Sequence, residues 1–168
     1  SRSSTSPKAL LVSADANSTC AKGRGRTRFS VMSRIVGIDL GTTNSLVATV
    51  DSGIPLVIAD ADGQRLTPSV VHFPAPGAGP IVGHKANRVR VLKPAETVYS
   101  VKRFMGRSLS DIANPEKLPY KFASQECSAA KGMLSIQTVQ GLKSPVEVSA
   151  EILATLRYRA EDTFNDDL

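Results

Sequence analysis

The chain has 168 residues, of which 41% are apolar, 5% are aromatic and 21% are charged, and its formal net charge is +6. This composition is typical of an ordinary globular domain, and it excludes a collagen-like, disulfide-dense or wholly disordered chain. No apolar run approaches the roughly 20 residues that a membrane-spanning helix requires, so the sequence predicts no membrane span.

The net positive charge comes from the first 34 residues. This segment carries seven Lys and Arg side chains and one acidic side chain, whereas residues 35–168 carry 14 basic and 14 acidic side chains. The net charge therefore gives no reason to expect that the body of the chain binds nucleic acid. A nucleic-acid-binding module acting through the basic segment is a minor alternative, because Phe29 is the only aromatic side chain there that could stack on a base.

Residues 1–33 are predicted to form a disordered basic leader that is rich in Ser, Thr and Arg. Two other interpretations stay open. The same composition is typical of a mitochondrial or plastid transit peptide, and Met32 could be the natural start of the protein. We favour a start at Met32, because the folded pattern begins two residues later.

The cysteines and histidines predict no metal site. Cys20 and Cys127 lie in different segments without CxxC spacing or a nearby histidine, so neither a disulfide framework nor a zinc site is expected. A single thiol at Cys127 cannot hold an iron–sulfur cluster, which usually takes four protein ligands. His72 and His84 lack the paired spacing of metal ligands and are expected to be structural or solvated.

The first elements after the leader are predicted to be β-strands. Two β-branched runs, at 35–40 and 45–50, flank a Gly/Thr/Asn turn and predict a hairpin. A third apolar run at 54–59 extends the hairpin into a three-stranded meander. A fourth strand is predicted at 70–73, and the Pro- and Gly-rich residues 74–80 predict an irregular loop.

The second half of the chain is predicted to contain two further strands and two helices. A short strand is expected at 81–83 and a short helix at 84–91. Alternating residues at 133–139 predict a strand, which residues 141–145 are expected to interrupt. The last element is an amphipathic helix at 149–164.

This last helix is predicted to begin with Ser149 as its N-cap and Glu151 in its first turn. Its apolar stripe is expected to comprise Leu153, Leu156, Ala160 and Phe164. No later strand or helix in the sequence could cover such a stripe. We therefore expect the stripe to be exposed and to favour aggregation.

The turn of the first hairpin has residues that can bind an anion. Gly41 permits an unusual backbone angle and close approach of a ligand. The amides of Thr42, Thr43 and Asn44 can point into one concavity that accepts phosphate oxygens. The carboxylate of Asp39 would repel a phosphate unless a cation lay between them, so it implies Mg²⁺, held directly or through water. Taken alone, the pattern is more often an ordinary turn whose polar groups satisfy the backbone.

Several ordered motifs resemble those of the DnaK-type, seventy-kilodalton heat-shock chaperones, which belong to the actin, hexokinase and heat-shock ATPase superfamily. The motifs are GIDLGTTNS at 37–45, TPSVV at 67–71, VG at 82–83, SVKRFMGR at 100–107 and SPVEVSAEIL at 144–153. The resemblance covers about residues 35–168. Further segments, at 45–50, 71–73, 105–112 and 132–148, are similar to the HscA-type branch, which is specialised for iron–sulfur cluster assembly.

The resemblance implies a mixed α/β (α+β) domain with an actin/hexokinase-like, ribonuclease H-like ATPase fold. Residues 34–168 would be the N-terminal part of this nucleotide-binding domain and would supply only part of lobe I. The second phosphate motif, the second lobe and the peptide-binding domain have no counterpart in the sequence. A truncated lobe is expected to be inactive alone, because ATP hydrolysis requires donors on both walls of the cleft.

The same resemblance implies roles for individual residues. Lys102 and Thr42 are the implied catalytic residues, with Lys102 reaching the γ-phosphate of ATP and the attacking water. Asp39 is the implied residue that holds Mg²⁺ through water. The implied nucleotide-binding residues for ATP or ADP are Gly41, Thr42, Thr43, Asn44 and Arg103. One lysine and one Mg²⁺ suit phosphoryl transfer, which depends on positioning and charge stabilisation.

The resemblance further implies that the full-length parent is an ATP-dependent chaperone for protein folding and stress response. Its implied partners are unfolded or iron–sulfur scaffold client proteins and a J-domain co-chaperone, with no nucleic acid and no membrane. The alternatives are a small-molecule kinase of the same superfamily and a non-functional truncated lobe. Asn44 suits bacterial or organellar members, so the expected compartment is the bacterial cytoplasm, or the mitochondrial or plastid matrix if residues 1–31 are a transit peptide.

Overall fold

A computed structural model describes residues 35–123, 134–165 and 168 of the chain. These residues form ten short strands in three antiparallel sheets, two α-helices and four short 3-10 helices. Neither of these two α-helices has the length and apolar character needed to cross a membrane. The mixed helix and sheet content confirms the coarse fold class. The predicted leader, Cys20 and Cys127 lie outside the described residues.

The first sheet contains four strands: β1 (Val36–Asp39), β2 (Asn44–Asp51), β3 (Ile54–Val57) and β4 (Thr67–Pro68). The strands β1, β2 and β3 pair in sequence order, which confirms the predicted meander. β4 pairs with the beginning of β2. Ser45 and Val47 of β2 are buried at alternate positions, so this strand turns one face toward the interior.

The second sheet contains β5 (Val70–His72), β6 (Ile81–Val82) and β7 (Thr97–Tyr99), with β5 in the centre. Helix α1 (His84–Val89) follows β6 and contacts β5. The strands predicted at 70–73 and 81–83 and the helix predicted at 84–91 are confirmed. Gly83 precedes α1 with φ of 82°, and a Cβ atom there would lie 3.0 Å from Cγ2 of Thr67, so the position requires glycine.

The third sheet contains β8 (Lys121–Phe122), β9 (Ile136–Thr138) and β10 (Gly141–Lys143), with β9 in the centre. β9 confirms the strand predicted at 133–139. The predicted interruption of this strand at 141–145 is wrong in part: β9 ends at Thr138, but residues 141–143 form a strand of their own that pairs with β9 as a hairpin. Gly141 has φ of 103° and its carbonyl accepts from the Thr138 hydroxyl at 2.7 Å, which closes the two-residue turn.

Helix α2 (Pro145–Phe164) begins four residues earlier than the sequence predicted. Its N-cap is Ser144, whose hydroxyl accepts from the Glu147 amide at 3.1 Å, while the Glu147 carboxylate accepts from the Ser144 amide at 2.7 Å. This capping box, with Pro145 in the first turn, favours a helix start at Ser144 over the predicted start at Ser149. Ser149 lies inside the helix instead, where its hydroxyl donates to the Pro145 carbonyl.

The buried stripe of α2 differs in phase from the predicted one. Leu156 and Ala160 are fully buried and Phe164 packs partly against the core, but Leu153 remains 38% exposed. Val148 and Ile152, which the prediction left out, are fully buried and belong to the stripe. The helix contacts β1, β2, β5 and β6. The expectation that its stripe is exposed is therefore wrong, because the sheets of the same chain cover it.

One prediction concerns the phase of this helix. Leu156→Ala should lower the free energy of unfolding by about 2 to 5 kcal/mol, because it leaves a cavity in the core. Leu153→Ala is the matched control and should change it by less than about 1 kcal/mol, since that side chain is partly in water. Urea denaturation of both variants measures the difference. Equal losses would contradict the observed phase.

A second prediction concerns the pH dependence of the capping box. Hydrogen bonds from the backbone and the hydroxyl of Ser144 lower the pKa of Glu147. Its stabilising contribution is therefore fully present above the ordinary glutamate pKa and is lost as the pH falls through the lowered pKa. The stability difference between native protein and Glu147→Gln should shrink as the solution is acidified through that range.

Thermal denaturation over a pH series measures this difference. Glu151→Gln removes the same charge from the same helix outside the capping box, so it serves as the control. Ser144→Ala should cost about 1 kcal/mol at neutral pH, as the loss of an N-cap usually does. A Glu147→Gln difference that stays constant through the acid range would count against the capping role.

Candidate functional site

The candidate site is the turn that joins β1 to β2. β1 ends at Asp39 and β2 begins at Asn44, and the side chains of Asp39, Thr43 and Asn44 are exposed. Leu40 is half-buried and packs against the core, which fixes the base of the turn. The polar residues of the turn therefore face solvent while its apolar residue anchors it.

Gly41 is required by the tightness of this turn. A Cβ atom at this position would overlap the carbonyl oxygen of Asn44. The φ of Gly41 does not lie in the left-handed region. The close approach is thus between two backbone segments of the turn, and it would persist without a ligand.

Two buried serines hold the turn in place. The hydroxyl of Ser69 donates to the Gly41 carbonyl at 2.8 Å. The hydroxyl of Ser45 accepts from the Gly41 amide at 3.2 Å and lies 2.8 Å from the Ser69 hydroxyl, to which it is the donor because the Ser69 proton is already committed. The Ser69 amide also donates to the Thr43 carbonyl at 2.8 Å. We call Ser45, Ser69 and the Gly41 backbone the serine clamp.

The turn retains unused hydrogen-bonding groups. Within the part of the chain that the structure describes, no protein group bonds the amides or the hydroxyls of Thr42 and Thr43. The Asp39 carboxylate likewise has no hydrogen bond or ion pair to a described residue. These donors and this carboxylate lie within five consecutive residues and are available to a ligand.

Lys102 reaches the same turn from a distant part of the sequence. Its Nζ donates to the carbonyl oxygen of Leu40 at 2.8 Å, across 62 positions of the chain. Lys102 belongs to a 3-10 helix, Val101–Phe104, in which Val101 and Phe104 are buried. Because residues three apart share a face of a 3-10 helix, these two anchors turn Lys102 outward.

Arg103 does not join this group. It is the next residue of the same 3-10 helix, and it lines a separate cleft together with Tyr99 and Tyr120. No residue of the β1–β2 turn lines that cleft. The structure therefore joins Lys102 by a hydrogen bond to the turn that carries the residues predicted for phosphate and metal binding, namely Asp39, Gly41, Thr42, Thr43 and Asn44, whereas Arg103 makes no hydrogen bond to that turn.

The available groups fit a magnesium-bound phosphate better than a metal held by the protein alone. Among the described residues there is no group of three or more His, Cys, Asp and Glu side chains that could hold a metal. Asp39 would thus supply one carboxylate, and water and phosphate oxygens would complete the coordination. Mg²⁺ favours this arrangement, since it keeps several waters and uses few protein carboxylates.

The two histidines have structural roles, as predicted. His72 is buried, and its Nδ1 lies 3.0 Å from the hydroxyl of Thr97, which itself donates to the Lys93 carbonyl. The Nδ1 atom is therefore the donor in this pair. His84 places Nε2 3.0 Å from the Leu66 carbonyl.

Residues 35–168 match the family model described as Hsp70 protein. The "Chaperone protein HscA homolog" of Ralstonia nicotianae is 57% identical over 133 residues, which cover 79% of this chain and 20% of the relative. The proteins of the same name in Acidovorax sp. (strain JS42) and Herminiimonas arsenicoxydans are 57% and 56% identical over 79% of this chain, and the matches cover 21% and 20% of those relatives. The chain belongs to the Hsp70 family, on its HscA-type branch.

Family membership confirms the resemblance carried by the sequence motifs and favours a chaperone over a small-molecule kinase. It also implies the actin/hexokinase-like fold of the family's ATPase domain, with which the mixed helix and sheet content agrees. The chain spans about a fifth of the length of the curated relatives that it matches. The activity and partners of the whole protein are therefore treated below as proposals.

The serine clamp is the part of the site that sequence reasoning missed. Ser45 and Ser69 were assigned only to motifs, although each contributes a buried hydroxyl to the turn. The signal that could have revealed them is one serine at the start of the strand predicted at 45–50 and another directly before the strand predicted at 70–73, since a buried hydroxyl requires a partner.

Gly41→Ala tests whether the turn depends on close backbone approach. The added methyl group would collide with the Asn44 carbonyl, so we expect a loss of about 1 to 3 kcal/mol of unfolding free energy. Gly37→Ala is the matched control in β1, where a Cβ atom would meet nothing within 4 Å. Chemical denaturation measures both variants, and equal tolerance of the two would refute the close approach.

Proposed function

We propose that the β1–β2 turn and Lys102 bind the phosphates of ATP, with Mg²⁺, in an ATP-dependent chaperone of the HscA type. The observation that carries this proposal is the 2.8 Å hydrogen bond from Lys102 to the Leu40 carbonyl. It brings a cation to a turn that already has free amide donors and a free carboxylate. These are the groups that a phosphate and its magnesium ion require.

The turn would bind phosphate with little rearrangement. Its free donors are the amides and hydroxyls of Thr42 and Thr43, with Asn44 beside them at the start of β2. The serine clamp fixes Gly41 from both its amide and its carbonyl side. Donors that are already fixed stabilise charge without a reorganisation cost, so the clamp supports binding although it does not touch the ligand.

Asp39 would hold the magnesium ion through water at the end of β1. When bound, Mg²⁺ neutralises the charge that develops on the transferred phosphoryl oxygens. Asp39 lies two residues before Gly41, so its carboxylate remains close to the phosphate-binding amides without a direct bond to them. The carboxylate orients the water molecules around the ion, while the amides of the turn hold the phosphate.

Lys102 would stabilise the negative charge of the γ-phosphate and orient the attacking water. An ammonium group has three donors, and one of them is used by the Leu40 carbonyl. Two donors remain for phosphate and water. The buried anchors Val101 and Phe104 restrict the motion of the backbone that carries Lys102, which favours correct positioning of the side chain. Thr42 would contribute its amide and hydroxyl to the same phosphate.

We further propose that residues 34–168 form the first part of lobe I of the ATPase domain. The similarity to a chaperone of which the matched residues cover 20% supports this assignment. The whole protein would act on unfolded or iron–sulfur scaffold clients, together with a J-domain co-chaperone. We place it in the bacterial cytoplasm, with an organellar matrix as the alternative if residues 1–31 are a transit peptide.

Lys102→Ala in a full-length protein that contains this chain should lower the rate of ATP hydrolysis about 100-fold or more, because it removes a preorganised cation from the developing charge. Nucleotide affinity should change little. Lys85→Ala removes an exposed cation from α1 and is the control. Single-turnover hydrolysis and equilibrium binding separate the two effects, and hydrolysis by Lys102→Ala at the native rate would refute the assigned role.

A further inference from the structure

A second cleft lies beside the 3-10 helix that carries Lys102. It has a volume of about 390 Å³ and is open to solvent on one side. Aromatic side chains of Tyr99, Phe104 and Tyr120 form part of its lining, together with the cationic side chains Arg103, Arg107 and Lys117. The cleft is large enough for a small organic molecule. We call it the arginine cleft.

The aromatic part of the arginine cleft is rigid. The ring of Tyr120 lies edge-on to the rings of Tyr99 and Phe104, with centroid distances of 5.7 and 6.3 Å. Tyr120 and Phe104 are buried, and the Tyr120 hydroxyl donates to the Tyr99 carbonyl at 3.0 Å. Burial raises the pKa of Tyr120, so the phenol stays neutral and keeps this hydrogen bond. The buried rings of Phe104 and Tyr120 thus support the wall of the cleft from below.

The cations of the arginine cleft outnumber the carboxylates in its lining. Arg103, Arg107 and Lys117 are exposed, and none of them has a carboxylate oxygen within 4.0 Å among the described residues. Asp111 is the acidic residue in the lining, and its carboxylate accepts from the hydroxyl and the amide of Ser108 at 2.7 and 2.8 Å. The cleft therefore carries an excess of positive charge.

We propose that the arginine cleft binds a small organic anion that carries an apolar ring, of the aryl phosphate or aryl carboxylate class. The ring would lie against the half-buried side chains of Tyr99 and Leu118. The guanidinium groups of Arg103 and Arg107 would bind the anionic group, because their planar forks match the oxygens of phosphates and carboxylates. Lys117 would add a point charge at the rim. This site is separate from the β1–β2 turn, which contributes no residue to the cleft.

Phenyl phosphate is a suitable probe, and amide chemical shifts of the 168-residue chain report where it binds. We expect saturable shifts at Tyr99, Arg103 and Tyr120. Inorganic phosphate has the anionic group without the ring, and benzyl alcohol has the ring without the anionic group. If both groups contribute, each compound should bind at least about tenfold more weakly than phenyl phosphate.

The double variant Arg103→Gln/Arg107→Gln should weaken phenyl phosphate binding about tenfold or more, because charge-assisted bonds to the anion are lost. Lys85→Gln/Arg88→Gln removes the same charge from exposed positions of α1 and should bind as the native chain does. Far-UV circular dichroism checks that both variants fold. The substituted side chains are exposed, so the core is left intact.

Three results would overturn the proposal. The first is unchanged binding in the Arg103/Arg107 variant, and the second is inorganic phosphate binding as tightly as phenyl phosphate. The third is a set of shifts confined to Thr42 and Thr43, which would place the anion in the β1–β2 turn. An acidic peptide that bound far more tightly than phenyl phosphate would replace the small anion as the occupant.

Discussion

The hydrogen bonds of the serine clamp determine the shape of the β1–β2 turn, and the candidate site depends on that shape. Ser69 comes from the segment between β4 and β5, so the clamp joins the first hairpin to the chain that follows it. Removal of either hydroxyl would leave a buried polar partner unsatisfied. With the clamp in place, the Leu40 carbonyl accepts from Lys102, and the amides of Thr42 and Thr43 bond no described protein group.

The position of Lys102 depends on packing at long range. Its 3-10 helix is anchored by Val101 and Phe104, and the same core is closed by Ile152 and Leu156 of α2. The free energy of this anchoring comes from buried apolar area, whereas the chemistry of the site comes from polar groups. Lys102 and Leu40 are 62 positions apart in the chain. Lys102 can reach the turn because the apolar core holds the two segments together.

Local signals in the sequence predicted the first meander and the position of the β1–β2 turn, because β-branched runs and turn residues act over a few positions. They failed where contacts are distant or where two local signals compete. Ser144 displaced Ser149 as the cap of α2, because a Pro and a Glu follow it at the required spacing. The nucleotide-binding role that the resemblance implies for Arg103 stays a prediction, since adjacent side chains of a 3-10 helix point in different directions and Lys102 is the one that bonds the turn.

The partner that Lys102 uses at the turn has an electrostatic consequence. A backbone carbonyl orients the ammonium group but leaves its charge uncompensated, whereas a carboxylate partner would neutralise it. The field of Lys102 therefore extends into solvent, over roughly the Debye length of about 8 Å at physiological ionic strength. A polyphosphate approaching the turn would be attracted before any contact forms, and the rate of its arrival would fall as salt is added.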